Sequence, residues 1–254
     1  MPSPDATRLA VLIDSDNTTA GLTTELLEEI AKYGTPTIKR AYGDWTTTQL
    51  SGWKKELLAH AIQPVQQFAY TQGKNSTDSA LIIDAMDLLY AGNVEGFAIV
   101  SSDSDFTRLA TRLRESGMTV YGLGRQKTPE AFVQACDRFI YLELLKQETP
   151  QPSQPASPDE EPAPVRNLKQ ILSAAISSTS KDDGWSHLGE VGSYLTNSNA
   201  AFDSRAYGHS KLSELVRAQS YVDVKDEEGP TGANRLWVRL KPKSKPAKAR
   251  SGRS

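Results

Sequence analysis

The sequence predicts an α/β protein: a mostly parallel sheet with helices on both faces, followed by a small unit of three helices and a β-hairpin. Three observations lead there. Over about the first 145 residues, short continuous aliphatic runs alternate with helical apolar stripes. That is the pattern of buried parallel strands joined by crossover helices. A proline-dense stretch between Glu148 and Pro164 then interrupts all periodicity. Beyond it, three amphipathic stripes precede two alternating runs that flank a turn-rich loop.

The strands of the front half are read at Arg8–Ile13, Thr37–Tyr42, Gln63–Phe68, Gly96–Val100, Thr119–Leu123 and a short Phe139–Leu142. Between them, Leu22, Leu26, Leu27 and Ile30 fall on one helical face, as do Leu50, Trp53, Leu57 and Leu58. Leu81, Ile82, Ala85, Met86 and Leu89 make a third stripe, and Phe106, Leu109, Ala110 and Leu113 a fourth. Proline at nearly every third position makes residues 147–165 an extended linker, because the stretch from Glu148 to Pro164 has no large apolar residue with which to pack a core. The expected division is therefore a front domain over 7–146, the linker, a back domain over 166–241, and a basic tail over 242–254.

In the back domain the stripes are Leu168, Ile171, Leu172, Ala175 and Ile176, then Leu188, Val191, Tyr194 and Leu195, then Leu212, Leu215 and Val216. The runs Tyr221–Val224 and Leu236–Leu240 follow, with Lys225–Asn234 expected as the hairpin loop. Three helices and a hairpin in this order form a winged helix-turn-helix. Trp185, Tyr194, Tyr207 and Trp237 are expected to bury most of their surface.

The formal net charge of -2 over 254 residues neither favours nor excludes nucleic acid, since local distribution decides that. The single cysteine, Cys136, excludes an intramolecular disulfide and a multi-cysteine metal site, and its apolar surroundings mark it as a structural thiol. Neither an apolar leader nor a membrane-length apolar window is present, so the expectation is a cytoplasmic protein without a membrane partner.

Chemistry concentrates in short carboxylates. Asp14 ends the first aliphatic run, Asp103 and Asp105 follow the fourth, and Asp78 stands where a helix begins. Open α/β sheets bind ligands beyond the carboxyl ends of their strands. Each acid alone has an ordinary structural account: Asp105 as an N-cap, Asp103 and Asp16 as turn residues, Asp78 as a first-turn acid. Their common placement at one sheet edge needs more than capping. Clustered acids repel unless protonated or neutralised, and aspartate oxygens suit Mg²⁺ or Mn²⁺. Such an ion can orient a water and offset the charge on a scissile phosphate, and no histidine is well placed as a general base.

The strings Ile13-Asp14-Ser-Asp-Asn17, Lys74-Asn-Ser-Thr-Asp78-Ser-Ala-Leu-Ile-Ile-Asp84 and Ser101-Ser-Asp103-Ser-Asp105-Phe106 resemble the NYN domain, in particular its LabA-like branch within the PIN-like nucleases. The resemblance spans Arg8 to Leu145. It implies a Rossmann-like sheet carrying a Mg²⁺- or Mn²⁺-dependent endoribonuclease site for single-stranded RNA. By the same resemblance Asp14, Asp78 and Asp103 are the main catalytic and metal-binding acids, Asp105 is a further ligand or orienting acid, and Asn17 supports the acids or contacts phosphate. Lys74, beside its motif, and Ser102 are further substrate-contact candidates. Asp84 also matches an acidic position, yet it lies about 240° round the helix from Asp78, so it reads as a packing or salt-bridge residue. Ser104 stands where relatives often carry glycine. Two other readings remain: an RNA-binding NYN domain without turnover, and a haloacid-dehalogenase-like phosphatase using Asp14 as nucleophile. Among the basic residues of the front domain, Lys74 is singled out for phosphate, while Arg40, Lys54, Lys55, Arg108, Arg112, Arg114 and Arg125 suit a solvated surface. Tyr42 and Trp45 suit packing.

The stretch from Asp183-Gly-Trp185-Ser-His through Phe202-Asp-Ser-Arg205-Ala-Tyr207-Gly-His-Ser-Lys211 resembles the LOTUS domain, also called OST-HTH. That implies RNA, or an RNA helicase or other protein, as a partner, with Lys211, Arg205 and His209 as contact candidates. The cationic tail would add salt-sensitive attraction for RNA.

Overall fold

The computed structural model describes residues 7–68, 76–145, 168–228 and 234–241. The linker expected over 147–165 and the tail over 242–254 lie outside them, as does Lys74. The chain forms two compact units, with the main division after Pro164.

The first unit is a six-stranded sheet, every pairing parallel. Its strands are β1 (Arg8–Asp14), β2 (Thr35–Gly43), β3 (Gln63–Gln66), β4 (Gly96–Val100), β5 (Thr119–Gly124) and β6 (Arg138–Tyr141), in the order β3-β2-β1-β4-β5-β6. Helices α1 (Thr23–Ala31), α2 (Trp53–Ala59), α3 (Ser76–Ala91), α4 (Thr107–Glu115) and α5 (Glu130–Ala135) fill the crossovers. All six expected strands are present, with ends displaced by a few residues, the common fate of boundaries read from sequence. Helix α5 was not read as a stripe, since six residues are too few to establish a helical period.

Side-chain alternation along β1 sorts the core. Leu9, Val11 and Ile13 pack with Leu26 and Ile30 of α1 and Trp53 and Leu57 of α2. Ala10 and Leu12 point the other way, into a cluster with Leu81 and Ala85 of α3, Leu109 and Leu113 of α4, and Phe132 of α5. The sheet is thus covered on both faces, which is why its central strands read as unbroken aliphatic runs. Leu58 departs from its expected stripe at 79% exposed, because α2 is a short helix that presents only Trp53 and Leu57 to the sheet. Cys136 is buried; its Sγ donates to the Phe132 carbonyl, and burial pushes the thiol up to about 12, in keeping with an inert structural role.

One irregularity sits beside β1. Leu9 pairs with Pro36 and Ala10 with Ile38, so β2 carries an extra residue at that point. Proline has no N–H to give to the ladder. The Thr37 hydroxyl instead donates to the Leu9 carbonyl at 3.4 Å.

The second unit contains α6 (Leu168–Thr179), β7 (Ser186–His187), α7 (Leu188–Ser198), α8 (Leu212–Arg217), β8 (Val222–Glu228) and β9 (Asn234–Leu240). The strands form an antiparallel sheet of order β7-β9-β8, so the helices and wing match the expected winged helix-turn-helix. The wing is longer than read: Lys225 to Glu228, expected as loop, continue the ladder as far as Glu228 opposite Asn234. Charged side chains on an exposed hairpin cost nothing in hydration, and their sequence hides the strand. The two-residue β7 has no pattern to detect. Leu172, Ile176, Val191, Leu195, Leu215, Val222 and Val238 are buried.

Trp185 and Trp237 keep most of their surface from solvent, as expected. The Arg239 guanidinium lies 4.6 Å from the Trp185 ring centre and the Lys181 ammonium 4.7 Å from that of Trp237, so each ring carries a cation on one of its sides. Tyr194 is exposed.

Because β4 is central and fully buried, Ile99→Ala should lower unfolding free energy by about 2–5 kcal/mol. Urea titration reads this as a lower midpoint with an unchanged slope.

Candidate metal centre

The carboxyl ends of β1 and β4 are neighbours at the point where strand order reverses, since β2 leads away on one side and β5 on the other. This is where doubly wound sheets bind ligands. Asp14 is the last residue of β1 and shares the parity of Ala10 and Leu12, which face α3 and α4. Asp78 lies in the first turn of α3. Asp103 and Asp105 lie between β4 and α4, in a turn that runs into a short 3-10 helix over Ser104–Phe106. Sheet parity and two helix starts therefore converge on one spot.

Asp14 is the deepest acid, 1% exposed. The Asn17 amide donates to its Oδ2 at 2.7 Å, and the Ser101 hydroxyl donates to the same oxygen at 2.7 Å. Ser101 Oγ in turn accepts the Asp103 backbone N–H at 3.1 Å, and Asp103 Oδ1 accepts the Asp105 N–H at 2.9 Å. A continuous hydrogen-bonded chain thus runs from Asn17 through Asp14 and Ser101 to the second pair of acids. The cap of the 3-10 helix is Asp103, where the sequence had suggested Asp105 as an N-cap.

One carboxylate oxygen each from Asp78, Asp103 and Asp105 lies within 4.8 Å of the others. Asp14 stands outside that triad but close enough to act on it: burial first, then the charges of Asp14, Asp103, Asp105 and Asp16, push the Asp78 carboxyl up to about 6. Burial also raises the Asp14 carboxyl, against the lowering effect of the bonds from Asn17 and Ser101. Among the described residues, no lysine or arginine forms an ion pair with Asp14, Asp78 or Asp103. Oxygens on opposite sides of an octahedral Mg²⁺ would stand about 4.2 Å apart, so the donor type and spacing suit a hard divalent cation.

The other expected residues are distributed as follows. The Asn17 side chain is engaged with Asp14. Ser102 accepts the Arg125 backbone N–H at 2.9 Å, which ties the β4 end to the β5 end. Lys74 lies outside the described residues. Lys211 is the N-cap residue of α8 in the second unit. Asp84 points to β2, where it accepts from the Arg40 guanidinium and the Tyr42 hydroxyl, a salt bridge as its helical angle implied. Arg114 forms a surface ion pair with Asp137, and the Trp45 indole donates to the Val65 carbonyl. The sequence reading passed over two residues. Ser101 joins the acids of β1 and β4, and only its place in the Ser101–Asp105 string hinted at a role. Asp16, read as a turn residue, accepts from Thr77 Oγ1 at 3.1 Å and so ties the β1 end to the start of α3.

The NYN domain model matches residues 8–143. The chain belongs to the NYN domain family. Residues 163–232 match the OST-HTH/LOTUS domain. No curated protein matches the chain. Among solved structures, a protein of unknown function from Vibrio parahaemolyticus is 17% identical with a TM-score of 0.46, covering 55% of this chain and 94% of that one. An uncharacterized protein from Nitrosomonas europaea is 33% identical with a TM-score of 0.28, covering 38% of this chain and 90% of that one. A fragment of a Chromobacterium violaceum protein is 26% identical with a TM-score of 0.28, covering 34% and 94% respectively. The NYN domain lies within the PIN-like nucleases, which pairs the acidic cluster with a nuclease-like family and the second unit with RNA or protein binding.

Asp78→Asn removes the charge that its neighbours oppose. Between the ordinary carboxyl value of 3.8 and about 6, the folded protein binds more protons than the unfolded chain, so stability falls as pH rises through that window. Above the window, metal-free Asp78→Asn should melt higher than wild type by roughly 2–4 °C. The advantage should fade as the pH drops through it. Calorimetry showing no gain at the upper end would contradict the electrostatic strain assigned to this carboxylate.

Proposed function

We propose that this protein is a metal-dependent endoribonuclease acting on single-stranded RNA, with Mg²⁺ or Mn²⁺ as its cofactor. The observation that carries the reading is the approach of Asp78, Asp103 and Asp105 to within 4.8 Å at the carboxyl edge of an NYN sheet. In this reading Asp78, Asp103 and Asp105 hold the ion and Asp14 completes the acidic set from below. A bound Mg²⁺ or Mn²⁺ supplies an activated water and neutralises charge on the scissile phosphate. Asn17 and Ser101 fix the orientation of Asp14, and Asp103 transmits that orientation to Asp105. Lys74 and Ser102 contact the substrate backbone.

The proposed division of labour follows the domain boundaries: cleavage in 7–146, a linker over 147–165, recruitment of RNA or of a helicase-type partner by 166–241 with Lys211 at the contact, and electrostatic attraction by the tail over 242–254. Tethering raises the local concentration of RNA at the acids. No helix among the described residues is long and apolar enough to cross a membrane. The proposed setting is the cytoplasm.

Labelled single-stranded RNA incubated with the full chain and Mn²⁺ should be cut by wild type and left intact by Asp103→Asn. Asn17→Ala, which frees Asp14 to rotate, should lose about 10–100-fold in rate or metal affinity. RNA that is bound but never cut would replace this reading with an RNA-binding protein; hydrolysis of a small phosphomonoester with RNA untouched would replace it with a phosphatase. Removal of Lys241 onward should flatten the dependence of RNA affinity on salt, and an unchanged slope refutes the role given to the tail.

A further inference from the structure

Next to the acids, on the side of β1 that faces β2, lies a groove of about 390 Å³. Its floor is apolar and buried, made by Leu50 and Trp53. Its neutral hydrogen-bonding side chains are Ser15 and Gln49, with the single carboxylate of Asp16, while the Thr18 hydroxyl donates to the Val100 carbonyl at 3.5 Å. No lysine or arginine among the described residues lines it. Ser15 is 2% exposed, and its Oγ finds no hydrogen-bond partner among the described residues. A buried hydroxyl without a partner costs about 1–3 kcal/mol, so its presence calls for a group that would satisfy it.

These features exclude some occupants. Among the described lining residues Asp16 carries the formal charge, which disfavours an anionic ligand. It is too polar for a purely aliphatic ligand. A flat group with apolar faces and hydrogen-bonding edges, joined to a sugar with hydroxyls that donate to a carboxylate, matches the lining, and the volume lies in the range of small-molecule sites. Asp16 is the bridge to the acidic centre, since it adds to the charge felt by Asp78 and holds Thr77 at the start of α3. A nucleoside seated here would have its phosphate directed out of the groove, where Asp16 gives way to Asp78.

We infer that the groove between the β1 and β2 ends is a subsite for one ribonucleoside of the RNA strand, with Gln49 and Ser15 bonding its edges and Asp16 accepting from its ribose. The inference rests on the nuclease reading for its choice of ligand, and it assigns the strand a direction of approach across the end of β1.

Gly52 supplies a clean plug. Its backbone is right-handed helical, and a Cβ placed there meets only Ala20 Cβ, at 4.0 Å. Gly52→Leu should therefore fold while filling the groove. The full chain, labelled with 5-fluorotryptophan and assigned through Trp53→Phe, is titrated with oligouridylate and oligoadenylate in Ca²⁺. Wild type should show a saturable shift of the Trp53 resonance, and Gly52→Leu should lose that shift while keeping its increase in melting temperature with Mn²⁺. Gln49→Ala, at an exposed position that threatens no core contact, should weaken the Trp53-detected affinity by roughly five- to tenfold. A Trp53 resonance that ignores bound RNA, or a shift that survives Gly52→Leu, overturns the subsite. Failure of wild type to cut RNA while Trp53 still responds removes the nuclease and leaves the subsite; cutting with an indifferent Trp53 does the reverse.

Discussion

The burial of a charged or chargeable Asp14 at the end of the central strand is the constraint around which the first unit is organised. A carboxyl group this far from water is tolerated only with its hydrogen bonds satisfied, and Asn17 and Ser101 satisfy them. Those two bonds come from the loop after β1 and the loop after β4, so the requirement of one side chain pins the two loops together. Asp103 and Asp105 inherit their positions from the same pinning through Ser101. The site is a consequence of solving the burial problem of Asp14, with Asp78 brought in by the start of α3.

That solution leaves like charges close together, and the fold holds them there. The core on either side of the sheet contributes the stability that offsets their repulsion, which explains why the apolar packing of α3 and α4 is continuous right up to the acids. Phe106 is fully buried directly after Asp105 and anchors the turn that carries both acids.

Much of this was legible in the sequence because buried parallel strands and helical stripes have periods that survive without context. The acids were legible as a set because each closes an aliphatic run or opens a helix. What escaped reading has physical reasons. Ser101 is a small residue whose importance lies in two bonds to partners far apart in sequence. Asp84 and Asp78 are chemically alike, and only helical angle separated the partner of Arg40 from the member of the acidic cluster. In the second unit, β7 is too short for a pattern, and β8 is legible only over its alternating first half because Lys225 to Glu228 are all charged.

The alternation of β1 has one more effect. Leu9 through Ile13 are apolar on both sides, so a slip of one residue would bury them about as well as the native pairing does, and hydrophobicity alone sets no alignment for this strand. Asp14 breaks the tie. Shifted by one place, its carboxylate would enter the packing of α1 and α2, where Leu26, Trp53 and Leu57 offer it nothing to bond. Asp14 thereby also proofreads assembly: chains that misalign the central strand are penalised by the very group they would have misplaced.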